Sequence, residues 1–258
     1  MSTEPGRVEI LALEGIPEIH AGDDLAGAIG DALAATHGAM PLQSGDVLVV
    51  TQKIVSKAEG AVVDLRTVEP RPEAIEWAKA WDRDARQIEV VLRQARRVVR
   101  QAFGVLIVET HHGFVCANAG VDASNVGPGT GDSVTLLPGD SDASAAGIRA
   151  ALRARFGQDL PVIVSDSFGR PWRWGITDVA LGVSGILPLE DLRGAPDADG
   201  RVMRVTIRAV ADEIASAAEL ALGKTAGRPV ALVRGTNPPL GEGSIRDVLI
   251  ASEMDLFR

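Results

Sequence analysis

Two short polar stretches hold the residue types from which phosphate chemistry is built: Asn118-Ala-Gly-Val-Asp-Ala-Ser-Asn125 and Ser165-Asp-Ser-Phe-Gly-Arg170. Each follows a run of apolar, β-branched residues with strand character, and each sets one aspartate among small residues, hydroxyls and amides. A buried strand ending in such a loop places a carboxylate where a metal and phosphates can reach it. Asp122 with Asn125, and Asp166 with Ser167, therefore offer oxygen ligands for Mg2+ or Mn2+, completed by substrate phosphates. The competing assignment is a helix cap or an Asx-turn, common work for a loop aspartate. The doubling of the pattern favours metal.

Cationic side chains lie nearby in sequence. Arg170 and Arg173 follow Asp166 closely, and Arg234 follows an apolar run; a guanidinium there could clamp a phosphate or carboxylate bidentately. For any one of them a surface role is the commoner alternative, and Arg234 escapes it least. Lys53 and Lys57 follow another buried run, where a lysine can serve as a point charge for phosphate. Lys57, between Ser56 and Gly60, is the better candidate, and Lys53 reads as solvated.

Several familiar motifs fail on inspection. Gly223-Lys224-Thr225 resembles the end of a P-loop, but Ala218 stands where the leading glycine is required and the preceding stretch is helical. Gly223 is first a helix C-cap. No G-x-G-x-x-G follows a strand, and no G-x-S-x-G nucleophile elbow is present. His111, His112 and Cys116 match no standard zinc spacing. Trp77 and Trp81, at helical i, i+4 spacing, read as core or dimer contacts.

At 258 residues the chain can bury a sizeable core, as one large domain or two intimate subdomains. A net charge of −9 argues against nucleic acid and implies that a polyanionic substrate needs metal ions or local cations. No apolar run reaches the roughly 20 residues that cross a bilayer. The first residues lack the basic and apolar segments of a signal peptide, and the single Cys116 fits a reducing compartment. These features point to a cytoplasmic protein.

The elements that must position the candidates follow from periodicity. Strands are expected at Arg7–Leu13 (an edge), Asp46–Val50, Val98–Val108, Pro161–Val164, Asp178–Gly185, Val202–Val210 and Pro229–Val233. Helices are expected from Asp23-Asp24 to about Ala35, over Pro72–Arg96 with a break near Asp82, from a cap at Ser141 to Gly157, and from Ala211 to about Gly223. Thr51–Lys57 and the two aspartate stretches read as loops leaving strands. Strands and helices mix without regular alternation, so the expected class is α+β rather than a doubly wound sheet.

With these residues collected, the chain resembles the coenzyme F420-0:L-glutamate (γ-glutamyl) ligases nearly end to end. The resemblance rests on Glu14-Gly-Ile-Pro17, Gly22-Asp-Asp-Leu25, Gly45-Asp-Val-Leu-Val-Val50, Val55-Ser-Lys-Ala-Glu-Gly60, Ala119–Asn125, Ser165–Arg170, Val210-Ala-Asp-Glu-Ile214, Val233-Arg-Gly235 and Asp255-Leu-Phe257, in that order. It implies a GTP-dependent amide ligase. GTP would phosphorylate the terminal carboxylate of the deazaflavin precursor F420-0, and the amine of L-glutamate would attack the acyl phosphate. It further implies two divalent ions (Mg2+ or Mn2+), a monovalent cation (K+), and an intertwined homodimer of single ligase domains spanning 1–258, in the family's own α+β fold.

By the same resemblance, Asp122, Asp166 and Ser167 would hold metal, and Asp122, Asp166 and Arg170 would carry catalysis. Guanine nucleotide contacts would fall on Glu14, Gly15, Ile16, Pro17, Lys57, Asn125, Leu222, Gly223 and Lys224. The second stretch departs from the usual Thr-Asp-Thr, but Ser167 keeps the hydroxyl. Trp174 stands where a polar residue is usual, which bears on the precursor or glutamate pocket. The flavin-reductase-like domain that some relatives carry at the C-terminus is not expected here. The alternatives from other classes are a metal-dependent phosphohydrolase and a silent nucleotide- or deazaflavin-binding protein.

Overall fold

The computed structural model describes residues 6–36, 38, 40–123 and 132–256. Its centre is a five-stranded mixed sheet in the order β1-β12-β2-β8-β9. The strands are β1 (Glu9–Ala12), β2 (Val47–Thr51), β8 (Val162–Arg170), β9 (Arg173–Ser184) and β12 (Val230–Arg234). β2 and β8 run parallel, with Thr51 opposite Ser165, and the other neighbours are antiparallel.

Period-two alternation sends successive side chains of a strand to opposite faces, and both faces of this sheet are covered. Leu48, Val50, Val162, Val164, Val230 and Leu232 pack under α1 (Leu25–Thr36), α2 (Gln52–Ala58) and α5 (Ser141–Phe156). Val47, Val49, Ile163, Ala231 and Val233 pack under α6 (Val210–Leu222). A strand buried on both faces reads as a continuous apolar run, which is why Val47–Val50 and Val230–Val233 were recognisable as strands.

A second group of elements stands between α2 and α5 in sequence and has its own small cores. It comprises β3 (Val62–Asp64), α3 (Pro72–Trp81), α4 (Ala85–Gln94), β4 (Ala95–Ala102), β5 (Val105–Thr110), β6 (Val115–Ala117) and β7 (Ser133–Thr135). Asp82 ends α3 in a left-handed conformation, the expected break between the two helices. The β4–β5 hairpin turns at Phe103 and Gly104, both at positive φ, the backbone sign of a tight two-residue hairpin turn. Trp77 and Trp81 line a cavity of about 140 Å3 between α3, α4 and β5.

The α+β expectation agrees with this mixture of helices and sheets, and the two-sided covering of the central sheet adds a layer that it did not specify. Five expectations change, the first being that Val98–Val108 is not one strand but runs from β4 through its turn into β5. Thr51–Lys57 is not a loop: Gln52 to Ala58 form α2. Ser165–Arg170 is not a loop either, because these residues continue β8 in a long hairpin with β9, whose strand begins at Arg173 rather than Asp178. The cap of α5 is Asp140, whose carboxylate accepts from Ala143 N at 3.0 Å, with Ser141 as first helical residue. Of Val202–Val210 only Ile207–Arg208 (β11) pairs as strand, against Glu190–Asp191 (β10).

Candidate active site

Asp122 is placed by backbone of rare geometry. Asn118, Ala119 and Gly120 lie at φ of 50°, 55° and 68°, consecutive left-handed residues in a 3-10 turn. Asn118 pins that turn to β5 by accepting from Leu106 N through Oδ1 at 3.1 Å. Gly120 is required twice over, by its φ and because a Cβ there would meet Leu137 Cδ2 at 2.6 Å. Left-handed non-glycine backbone costs of order 1–3 kcal/mol per residue and persists where its surroundings fix it. The chain then straightens, and Asp122 exchanges backbone hydrogen bonds with Thr135, at 3.1 and 2.8 Å.

Asp166 is placed by a strand. It sits opposite Val179, just past a register shift between Val164 and Ser165, and such a bulge re-aims the side chains beside it. Next to it, Ser165 Oγ and Ser167 Oγ donate to the two oxygens of Asp178, at 3.1 and 2.6 Å. Asp178 is 3% exposed. Its carboxylate also meets the Lys224 ammonium at 3.2 Å, and that ammonium touches Ser167 Oγ and lies 2.8 Å from Glu219 Oε1. Burial opposes the charge on Lys224, but Glu219 and Asp178 outweigh it and raise the lysine pKa.

Electrostatics joins the two aspartates. Burial, then the negative charges of Asp178 and Asp122, push the Asp166 pKa up to about 7, against the lowering pull of the Ser167 N–H and Lys224. Cys116, on β6, is pushed up to about 12 by burial and by Asp166, so it is no reactive thiolate. At the other end Lys53 Nζ lies 2.8 Å from Asp122 Oδ2. Lys53 is in the first turn of α2, where β2 leaves the sheet beside β8. The site thus forms at the carboxyl ends of the parallel pair β2–β8, where open α/β sheets bind ligands.

The remaining candidates are distributed around this centre. Lys57 is buried, with Nζ 2.5 Å from Glu18 Oε1, which ties it to the stretch containing Glu14, Gly15, Ile16 and Pro17. Ile16 packs against the α1-side core, and Gly15 lies at φ +80°. Leu222 is buried in the α6-side core, so only its backbone is available to a nucleotide. Gly223 caps α6, its N–H donating to Glu219 O at 2.9 Å. Asn125 lies outside the described residues.

Arg170 is not brought to the acidic centre: it lies four strand positions, about 13 Å along β8, from Asp166. Its guanidinium donates to Trp174 O at 3.0 Å. Arg234 is structural, with Nε and Nη2 on the fully buried carboxylate of Asp46 at 2.7 and 2.8 Å. Asp178 is the residue that sequence reasoning missed, and Lys53, which reads as solvated in the sequence, instead meets Asp122. A lone aspartate at the head of the largely buried run Val179–Ser184 was the available signal for Asp178; for Lys53 the signal was its place after a buried strand, while its partner is remote in sequence.

The donor chemistry suits a hard divalent cation, because it consists of carboxylates and hydroxyls without thiolate or imidazole. Burial first, then the like charges of Asp178 and Asp122, disfavours the Asp166 carboxylate, a cost that a bound cation would offset. Among the described residues no three His, Cys, Asp or Glu side chains group closely enough to hold a metal ion by themselves. Asp122, Asp166 and Ser167 therefore fit an ion that draws its other ligands from phosphate and water, the usual habit of Mg2+.

An α+β protein with an acidic, hydroxyl-bearing centre at the end of its parallel strand pair is the class that this geometry defines. The family model of the F420-0:gamma-glutamyl ligases matches residues 15–235. The Coenzyme F420:L-glutamate ligase of Methanocaldococcus jannaschii is 39% identical over the full length of both chains. Those of Methanothermobacter thermautotrophicus and Methanopyrus kandleri are 40% and 41% identical, over 97% and 98% of this chain and 99% and 100% of their own. The chain belongs to the F420-0:gamma-glutamyl ligase family. No helix among the described residues is long and apolar enough to cross a membrane.

Proposed function

We propose that this enzyme forms a γ-linked amide between L-glutamate and the terminal carboxylate of F420-0, coupled to GTP cleavage. The observation that carries the reading is the meeting of Asp122–Lys53 and Asp166–Ser167–Asp178–Lys224 at one end of the β2–β8 pair, in a chain matched over its length by ligases of that name.

The precursor carboxylate attacks the γ-phosphorus of GTP, forming an acyl phosphate and GDP. The amine of glutamate then attacks the acyl carbon, and phosphate leaves with the carbon–oxygen bond electrons while the amine loses its proton. Asp122, Asp166 and Ser167 would hold two divalent ions, which with a potassium ion would supply Lewis-acid stabilisation of the phosphate charge. Lys224, poised on Ser167, meets phosphate oxygens as a point charge. Glu14 to Pro17 and Lys57 flank the base and ribose. Water must be kept out, since an acyl phosphate hydrolyses. A homodimer provides that enclosure, and the exposed Trp172, Trp174 and Ile176 of the β8–β9 hairpin offer apolar surface for a second copy.

The test is incubation with F420-0, GTP, Mn2+ and L-glutamate, followed by product masses. Addition of glutamyl units matched by GDP release is expected. GTP hydrolysis at full rate without glutamate would assign the site to a phosphohydrolase instead, and tight nucleotide binding without turnover to a silent binding protein.

A further inference from the structure

Lys53 follows the apolar run of β2 and carries no motif, yet the fold delivers it to the acidic centre. Thr51 is the last residue of β2 and lies opposite Ser165 in the parallel register, so the first turn of α2 departs next to the strand that holds Asp166. From there the Lys53 ammonium reaches Asp122 Oδ2 at 2.8 Å across a gap of 69 residues in sequence, with the two side chains 21% and 39% exposed. At the opposite end Lys224 stands in the same relation to Asp178 and Ser167. The acidic centre is thus met by a lysine at each end, on Asp122 and on Ser167 with Asp178.

An ammonium seated on Asp122 Oδ2 and a cation coordinated by that oxygen exclude one another by charge and by space. A lysine is a compact charge on a flexible four-carbon stem, so it can leave one anion for another a few ångströms away. We propose that Lys53 is a phosphate-binding residue of the site. It holds Asp122 while no divalent cation is bound, and turns to the terminal phosphates of the nucleoside triphosphate once the carboxylate takes the cation. The inference rests on the ligase reading and adds to it a residue that reads as solvated in the sequence and that only its contact with Asp122 brings to the site.

The test compares wild type with Lys53→Met and Lys53→Arg. Mn2+ binding to nucleotide-free protein is read by electron paramagnetic resonance. Binding of a non-hydrolysable GTP analogue and of GDP, each with Mn2+, is read by calorimetry. An exposed ion pair is worth up to about 1 kcal/mol, so Lys53→Met is expected to bind Mn2+ up to about fivefold more tightly. Its affinity for the triphosphate analogue is expected to fall about tenfold or more, the loss of one charge-assisted hydrogen bond, with GDP little changed. Lys53→Arg keeps the charge and grips Asp122 with a planar fork, so it is expected to bind Mn2+ more weakly than wild type.

Folded Lys53→Met protein that binds Mn2+ and the analogue as wild type does overturns the proposal. Weaker Mn2+ binding by Lys53→Met also overturns it, because Lys53 would then be positioning Asp122 for the metal. Should Lys53→Met not fold, Mn2+ binding by Lys53→Arg at or above the wild-type affinity decides against it. Wild-type protein that binds no nucleotide removes the ligase reading itself, an outcome distinct from wild-type binding with unchanged variants.

Discussion

Asp122 and Asp166 reach one centre from two unlike regions. Asp122 comes from the smaller group of elements, on a left-handed turn pinned by Asn118. It is partly exposed and answered directly by Lys53. Asp166 belongs to the central sheet, in a strand bonded on both sides, and its pKa stands at about 7 because burial and two like charges outweigh Lys224. The same side chain is thus a carboxylate paired with a lysine in one region and, in the other, a carboxyl whose pKa burial and like charges raise. Backbone setting and burial, rather than residue type, assign the charge state, and the centre is completed only where the two regions meet.

The sharpest way to break this comparison is to remove each charge in turn. Asp166→Asn and Asp122→Asn should both lower glutamate ligation at least about a hundredfold, the scale of a lost metal contribution of several kcal/mol. Circular dichroism should show both variants folded. Full activity in either would detach that aspartate from the chemistry.

The pH dependence of stability should separate the two. Asp166 rises from 3.8 to about 7 on folding. Between those values the native state binds the proton and the unfolded state does not, so this group's contribution falls as pH rises from about 4 to 7. Metal-free wild type should therefore lose melting temperature between pH 5 and 7.5 relative to Asp166→Asn. Mn2+ should recover the loss at pH 7.5. A parallel pH profile for the two proteins would refute the assignment.

A smaller effect is expected on the Lys224 side. Lys224→Ala leaves the buried Asp178 with only its two serine donors. With the lysine half exposed the cost should be about 1 kcal/mol, or roughly 2–4 °C in melting temperature for a chain of this size. Smallest of all should be Arg170→Ala, within about 0.5 kcal/mol of wild-type stability, because among the described residues its exposed side chain bonds to Trp174 O. In ligation it should raise KM for the precursor and leave kcat unchanged. A fall in kcat would restore Arg170 to the catalytic group.

Much of the frame was legible in the chain. Val47–Val50 and Val230–Val233 announce buried strands, Asp82 breaks the α3–α4 helical stretch, and Gly157 and Gly223 end α5 and α6. The aspartates were found from the company they keep. Their settings were not: Ser165–Gly169 carries the small and polar residues of a loop, yet pairing with β9 holds it extended. Local composition cannot register a partner strand that supplies its hydrogen bonds. Lys57, chosen over Lys53, went to Glu18, because the choice turned on which face of an unrecognised α2 each lysine occupies.

By itself, the sequence determined the apolar strands, the helix ends, the two aspartates with their hydroxyl and amide neighbours, and the family. These depend on short-range patterning and on residue types that one-dimensional order preserves. The tertiary structure alone decided that Lys53 meets Asp122, that Asp178 and Lys224 close on Ser167, and that burial and neighbouring carboxylates raise the Asp166 pKa. Those outcomes depend on register, burial and charge across long sequence separations, which exist only once β2 and β8 lie side by side.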